Sequence, residues 1–274
     1  MTVFVPAYDV EAPKCLPACQ KIVEVHRRFD VPATFFIVGK MLEANPSEYR
    51  ELLSDSAFEV ASHSYSHKML RDHPICGPAA STEQVKTEIF KGKALVENVF
   101  NRLCLGLRPG CGFVDGLKGA PELLRLVSEA GYRYVSSMLW GPDFSMPAPL
   151  NQPFTYSSEG YPNLWEFPGH GWHENVFKIS SAKARRILLF PPLYPEMVPS
   201  SFVKTPLEEF RFNNRPMIDR AMSEHAMYVS LVWHPWSLNA FDPEMKMLEM
   251  TFEYLKKLGV QSMSFSEVLS LLSK

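Results

Sequence analysis

The stretch ATFFIVG at residues 33–39 joins β-branched and aromatic residues in one unbroken apolar run that follows Pro32 and ends on a glycine. A run without polar alternation is typical of a strand buried on both faces, as in a parallel sheet. Similar short runs recur along the chain, and we interpret them as strands at Val3–Ala7, Phe58–Ser62, Leu105–Arg108, Tyr132–Ser136, Leu164–Phe167, Ala226–Trp233 and Gln261–Phe265.

Stretches with helical spacing of apolar residues separate these strands. The longest is Thr82–Phe100, where Ser81 and Gln84 can form a capping box. The other predicted helices are Leu16–Arg28, Glu48–Leu53, Pro121–Ala130, Pro243–Leu258 and Ser266–Leu272. Strands that alternate with helices indicate β/α units, and this many units predict an α/β fold with a barrel of about seven parallel strands.

Two proline-rich segments, Trp140–Asn163 and Phe190–Pro216, interrupt this alternation. We interpret both as loops within one domain that covers residues 1–274, because the sequence shows neither an internal repeat nor a linker between domains.

The composition excludes several classes of partner. The net charge is −2 and no basic run is present, which argues against a nucleic-acid partner. The N-terminus lacks the cationic start and apolar core of a signal peptide, and no apolar run is long enough to span a bilayer. The sequence therefore predicts a cytoplasmic protein without a transmembrane segment, and it leaves open a homo-oligomer.

The 5 cysteines are scattered and odd in number, which does not suggest a disulfide framework. We interpret them as buried thiols in a reducing compartment. A zinc site built from Cys15, Cys19 and Cys76 is a weaker alternative, because their spacing lacks the paired knuckles of structural zinc sites.

Acidic, basic and histidine side chains follow several of the predicted strands. In a β/α barrel the active site lies at the carboxyl ends of the strands, so these residues are candidates for it. They are Asp9, Glu11, His63, His67, Arg108, Glu166, His170 and His234. For Glu166 and His170 the sequence indicates no role.

His63 and His67 are four positions apart, so on a helical turn they would project from one face and could bind one ion. Imidazole suits zinc and its transition-metal neighbours. The motif is not that of the zinc proteases, because no glutamate follows His63. Two surface histidines are the alternative interpretation.

Asp9 and Glu11 are two apart on an extended segment and so point to the same side. One could bind a metal while the other acts as a general base, or both could be solvated acids at a strand end. Arg108 could orient a catalytic carboxylate or form a surface ion pair. His234 could protonate a leaving amine or fill the core.

Together these residues resemble the NodB-like polysaccharide deacetylases, carbohydrate esterase family four. The stretch EVASHSYSH at residues 59–67 is similar to the family's metal-binding histidine motif, and residues 33–39 resemble its second strand. The resemblance runs in order from Asp9 to His234. It implies a distorted (β/α) barrel and metal-dependent removal of N-acetyl groups from amino-sugar saccharides of the peptidoglycan or chitin type.

The resemblance also implies a role for each candidate. Asp9 would be the base, Arg108 would orient it, and His234 would be the general acid. The ligands of one divalent metal ion would be Glu11, His63 and His67. Zinc is the metal we expect, with cobalt or nickel as alternatives.

This sequence departs from the family pattern in three places. The adjacent acid pair of the family is here Asp9-Val10-Glu11, so the base and ligand roles could be exchanged. Gly110 stands where the family has a proline, and residues 134–137 contain no match for the aspartate that supports the acid histidine. Two alternatives follow: a hydrolase of a small non-sugar amide such as a cyclic ureide, similar to allantoinase, or an inactive carbohydrate-binding barrel.

Overall fold

The computed structural model describes residues 2–144, 148–170, 194 and 203–273. Its strands are short: β1 Val3–Phe4, β2 Ala7–Val10, β3 Ala33–Ile37, β4 Phe58–Ser62, β5 Gly106–Leu107, β6 Tyr134–Val135, β7 Phe154–Tyr156, β8 Tyr161–Glu166, β9 Tyr228–Val229 and β10 Val232–Trp233.

The α-helices lie mostly between the strands. They are α1 Cys15–Phe29, α2 Gly39–Ala44, α3 Pro46–Leu52, α4 Thr82–Phe100, α5 Pro121–Glu129, α6 Pro206–Glu209, α7 Arg215–Ser223, α8 Pro235–Phe241, α9 Lys246–Leu258 and α10 Phe265–Leu272. A π-helical turn, Phe210–Asn214, joins α6 to α7, and 3₁₀ turns occupy Pro142–Phe144 and Ser157–Glu159. No helix in the described ranges is long and apolar enough to cross a membrane.

Eight strands form one sheet in the order β10-β2-β3-β4-β5-β6-β8-β7. All neighbours are parallel except β7, which runs antiparallel to β8. A second, parallel ladder pairs β1 with β9. The parallel order along the chain confirms the predicted α/β architecture.

Within the described residues, the eight-stranded ladder does not close on itself by regular pairing. One isolated parallel bridge, between His170 and Leu231, joins the segment after β8 to the residue just before β10. Here His170 N–H donates to the Ser230 carbonyl at 2.8 Å, and Ser230 N–H donates to His170 Nδ1 at 3.0 Å. The remaining ring nitrogen, Nε2, donates to the Asn151 carbonyl at 2.7 Å. His170 therefore has a structural role at this seam.

The inner faces of the strands surround an aromatic core that α10 closes at the amino-terminal end. Phe265, the first residue of α10, contacts the rings of Phe36, Tyr134 and Phe167. Ser264 caps the helix by accepting the backbone N–H of Glu267. Most of the larger apolar core lies between the sheet and the outer helices.

Most predicted elements are confirmed, with Phe58–Ser62 and Thr82–Phe100 matching at both ends. The predicted strand Gln261–Phe265 is wrong, because only Ser262 forms a single bridge and Phe265 already starts α10. The predicted loop Trp140–Asn163 contains β7 and the start of β8. Part of the predicted loop Phe190–Pro216 is helical from Pro206 onward, and residues 190–193 and 195–202 lie outside the described residues.

The prediction that every cysteine is a free thiol is wrong for two of them. Cys76 and Cys111 form a disulfide across a sequence separation of 35. Cys15, Cys19 and Cys104 are free and buried. Because Cys76 is bonded to Cys111, its sulfur is not a free thiolate ligand. Among the described residues no candidate metal cluster includes a cysteine. The alternative zinc site is therefore not formed.

The buried His26 should make stability depend on pH. Tyr8 donates to its Nε2 at 2.6 Å and its Nδ1 donates to the Val31 carbonyl at 2.7 Å, while burial lowers its pKa from 6.5 to about 4. Between pH 6.5 and about 4, mainly the unfolded chain binds a proton at this site. Stability is therefore lost as the pH falls from 6.5 toward about 4.

We expect the wild type to lose up to roughly 3 kcal/mol more than His26→Gln between about pH 7 and about pH 4. Glutamine keeps a donor and an acceptor but does not titrate. Urea unfolding at several pH values measures the difference, with the exposed His225→Gln as a control that should follow the wild type. Parallel curves for wild type and His26→Gln would contradict the assignment.

Candidate active site

The predicted site residues meet at the carboxyl ends of the parallel strands. Asp9 lies near the end of β2, and His63, Arg108 and His234 directly follow β4, β5 and β10. Because these strands are close neighbours in the sheet, side chains far apart in sequence come together at one edge.

Arg108 and Asp9 form a buried ion pair at the centre of this edge. Arg108 Nη1 donates to Asp9 Oδ1 at 2.7 Å, and the side chains of the two residues are 0% and 5% exposed. Arg108 Nη2 donates to Ser136 Oγ at 2.8 Å, and the guanidinium carbon lies 4.0 Å from the centroid of the Phe36 ring. Arg108 therefore has a fixed position, and the alternative of a surface ion pair is wrong.

The charge of Asp9 is set by two opposing effects. Burial alone would raise the pKa of its carboxyl group, but the adjacent Arg108 charge, with smaller contributions from His63 and His234, holds the pKa below its usual value. Asp9 is therefore an ionised carboxylate at neutral pH, with one oxygen engaged by arginine.

His63 is fixed in one tautomer. Its Nδ1 donates to the Arg108 carbonyl at 2.8 Å, which leaves Nε2 with a lone pair. Nε2 is buried and has no hydrogen-bond partner in the described residues. Burial lowers the pKa of His63 to about 4, so the ring is neutral at neutral pH.

His67 and Glu11 complete the arrangement. His67 Nε2 lies 3.1 Å from Glu11 Oε2. The predicted helical turn is wrong: residues 63–67 form a loop in which Ser64 and His67 both have positive φ, at 61° and 63°. The rings still converge, with centroids of His63 and His67 4.8 Å apart.

These three residues are suited to hold a divalent metal ion. One donor atom each from Glu11, His63 and His67 can be chosen so that all lie within 4.8 Å of one another. The buried, unpartnered Nε2 of His63 is an independent indication, because a buried acceptor without a partner is costly unless something binds it. Two imidazoles and one carboxylate are the donor set of many zinc sites.

His234 lies beside this cluster at the start of α8. Its Nε2 is 3.6 Å from Glu11 Oε2, and its side chain is 17% exposed. The ring therefore faces the cluster and is partly open to solvent. The structure brings together all six predicted residues, Asp9, Glu11, His63, His67, Arg108 and His234.

Residues of α4 hold the histidine loop and were not predicted. Glu88 accepts the backbone N–H of Ser66 at 2.7 Å and also the Ser66 hydroxyl. A Cβ atom on Gly92 would come within 2.8 Å of the Ser64 carbonyl carbon, so α4 can approach the loop only through a glycine. Both residues lie on the buried face of the longest predicted helix, but nothing in their spacing indicates which loop they contact.

Glu166 has a structural role. Its carboxylate accepts the backbone N–H groups of Ser137 and Met138, at 2.7 and 2.9 Å, and the hydroxyls of Ser137 and Tyr156, both at 2.5 Å. Burial raises its pKa. These bonds fix the segment after β6, which also carries Ser136.

The chain matches known proteins at the level of sequence and of fold. Residues 11–135 match the polysaccharide deacetylase family model. The chain is also similar to a chitooligosaccharide deacetylase of Rhizobium leguminosarum bv. phaseoli, with 33% identity over 77 residues. This match spans 28% of the present chain and only 31% of that protein.

Two crystal structures share the fold. A protein of Mycobacterium smegmatis assigned to the polysaccharide deacetylases has a TM-score of 0.67 and 18% identity, over 98% of this chain and 90% of its own. Puue allantoinase has a TM-score of 0.66 and 13% identity, over 98% and 88% of the two chains.

These findings confirm the resemblance to the polysaccharide deacetylases, in sequence over residues 11–135 and in fold over nearly the whole chain.

We expect the wild type to bind about one divalent ion per chain, because the three ligand atoms can share one ion. His63→Ala and His67→Ala should each remove it, since two ligands rarely hold an ion that needs three. Elemental analysis after dialysis measures the content. The control is His225→Ala, which changes an exposed histidine and should keep the ion. Full occupancy in both ligand variants would exclude this site.

Proposed function

We propose that the protein removes N-acetyl groups from amino-sugar saccharides, of the peptidoglycan or chitin type, with one divalent metal ion, and that zinc is the metal. The observation that carries the proposal is the placement of the ionised Asp9, paired with Arg108, beside the Glu11, His63 and His67 cluster with its unpartnered His63 Nε2. The chitooligosaccharide deacetylase relative supports the class of substrate.

Glu11, His63 and His67 would hold the ion. When bound, it supplies Lewis acidity that makes a water molecule more acidic and polarises an amide carbonyl. The protein contributes a fixed His63 tautomer through the Arg108 carbonyl, and an ionised Glu11. Burial would raise the pKa of Glu11, but the three neighbouring histidines, His234 foremost, hold it well below its usual value.

Asp9 is suited to accept the proton of the attacking water. The Arg108 guanidinium keeps its carboxylate ionised and fixes its orientation through Oδ1. A carboxylate with a lowered pKa is a weak base, so it can act only on a water that is already acidified. This is the physical reason for placing Asp9 beside a metal site.

His234 is suited to protonate the departing amine. Its Nε2 lies 3.6 Å from Glu11 Oε2, and its side chain is partly open to solvent. The base and the acid lie at the ends of two different strands. One residue can therefore take the proton of the attacking water while the other gives a proton to the leaving nitrogen.

Separate substitution of Asp9 and of Glu11 by the corresponding amide tests which of the two is the base and which is the metal ligand. Asp9→Asn should keep the ion but lose most activity, by roughly a hundredfold or more, because an amide cannot accept the proton. Its melting temperature should fall, since Arg108 loses its buried counter-charge. Glu11→Gln should mainly weaken metal binding. Loss of metal in Asp9→Asn, with metal retained in Glu11→Gln, would mean that the two roles are exchanged.

The role of His234 can be read from its dependence on the leaving group. His234→Ala should slow hydrolysis of an N-acetylated chitooligosaccharide by roughly a hundredfold, because a poor leaving amine needs the proton. Hydrolysis of an activated aryl acetate should change much less. Metal content and melting temperature serve as controls. Equal losses on both substrates, with a lower melting temperature, would assign His234 to the fold.

A second candidate is hydrolysis of a cyclic ureide. The acid pair Asp9-Val10-Glu11, which differs from the adjacent pair of the sugar deacetylases, favours it, and the chain shares the fold of Puue allantoinase. Product analysis with an N-acetylated chitooligosaccharide and with allantoin separates the two. An inactive carbohydrate-binding barrel is the least supported alternative, because all six predicted site residues are present and brought together.

A further inference from the structure

Glu11 presents its two carboxylate oxygens to different neighbours. Oε2 lies 3.1 Å from His67 Nε2 and 3.6 Å from His234 Nε2. Oε1 accepts a hydrogen bond from Trp236 Nε1 at 3.2 Å. The carboxylate therefore has one oxygen directed at the histidines and the other bound to an indole.

The indole N–H can only donate, so Trp236 can neither bind a metal ion nor move a proton. Any effect it has on the site must act through Glu11. The terminal torsion of a glutamate side chain is broad and roughly two-fold, so an isolated glutamate does not fix which oxygen faces a ligand. A donor on Oε1 removes that freedom.

Trp236 is itself held in place. It lies in the first turn of α8, where Ser237 and Leu238 donate to the His234 carbonyl at 3.0 and 2.9 Å. Lys21 on α1 ties the end of this helix by donating to Asn239 Oδ1 at 2.9 Å and to the Pro243 carbonyl at 3.0 Å. One short helix thus sets both Trp236 and His234 against the same carboxylate.

We propose that Trp236 is a positioning residue that holds Glu11 so that Oε2 alone serves as the metal ligand. Glutamate has one more rotatable bond than aspartate, and the indole restricts that added freedom. The proposal rests on the metal-dependent function proposed above. It adds a residue that touches neither the ion nor the substrate.

The test compares Trp236→Phe with wild type by calorimetric titration of the metal-free protein with Zn²⁺, in the absence of substrate. Phenylalanine keeps an aromatic ring and removes the donor. We expect the Kd for Zn²⁺ to rise by roughly tenfold to a hundredfold, as for other groups that orient a metal ligand. The visible spectrum of the Co²⁺-loaded protein should also change, because it reports the geometry of the ligands.

Trp165→Phe is the matched control. It makes the same chemical change on β8, where Trp165 stacks on Phe167, and it should leave the Kd unchanged. A second control introduces Trp236→Phe into the Glu11→Asp variant. The shorter aspartate side chain cannot be held by Trp236 in the same way. In that background Trp236→Phe should have little further effect on the Kd.

Each outcome has one meaning. A Kd in Trp236→Phe equal to that of wild type, or effects of Trp236→Phe and Glu11→Asp that simply add, would overturn the positioning role while leaving the metal site intact. An equal loss in Trp165→Phe would mean that the change is a general destabilisation. A wild type that does not bind Zn²⁺ would overturn both this inference and the proposed function.

Discussion

The buried Arg108 connects Asp9 to the histidine loop. Its guanidinium pairs with Asp9 and bonds Ser136, its carbonyl fixes the His63 tautomer, and its charge lies over the Phe36 ring inside the barrel. Removing one partner of such a pair leaves an uncompensated buried charge and typically costs about 3–5 kcal/mol. The pair therefore constrains the ends of several strands as well as the ionisation of Asp9.

The two carboxylates of the site, Asp9 and Glu11, lie in different surroundings. Asp9 is bonded by a permanent cation, whereas Glu11 is surrounded by imidazoles that are suited to share an ion with it. The same contrast explains the two histidines of the loop. His63 is buried with a neutral ring and a free lone pair on Nε2, while His67 is partly exposed and lies 3.1 Å from Glu11. Environment, more than residue type, assigns the roles that we propose.

The barrel architecture and the grouping of the six candidate residues could be predicted because both follow from local sequence patterns. Buried parallel strands are nearly continuous apolar runs, and the site residues directly follow such runs. The conformation of residues 63–67 could not be predicted, because the loop is shaped by contacts with Glu88 and Gly92 on a distant helix. The disulfide between Cys76 and Cys111, the seam at His170 and the indole bond of Trp236 likewise depend on residues that meet only in the folded chain.

The central claim is that one divalent ion occupies the space between Glu11, His63 and His67, beside Asp9. Anomalous X-ray diffraction at the zinc absorption edge, from crystals of the Zn²⁺-loaded protein, tests it most directly. The account predicts a single strong peak in contact with Glu11 Oε2 and with Nε2 of His63 and His67, and not with Asp9 or Trp236. A peak bound by Asp9 in place of Glu11, or no peak at this site, would contradict it.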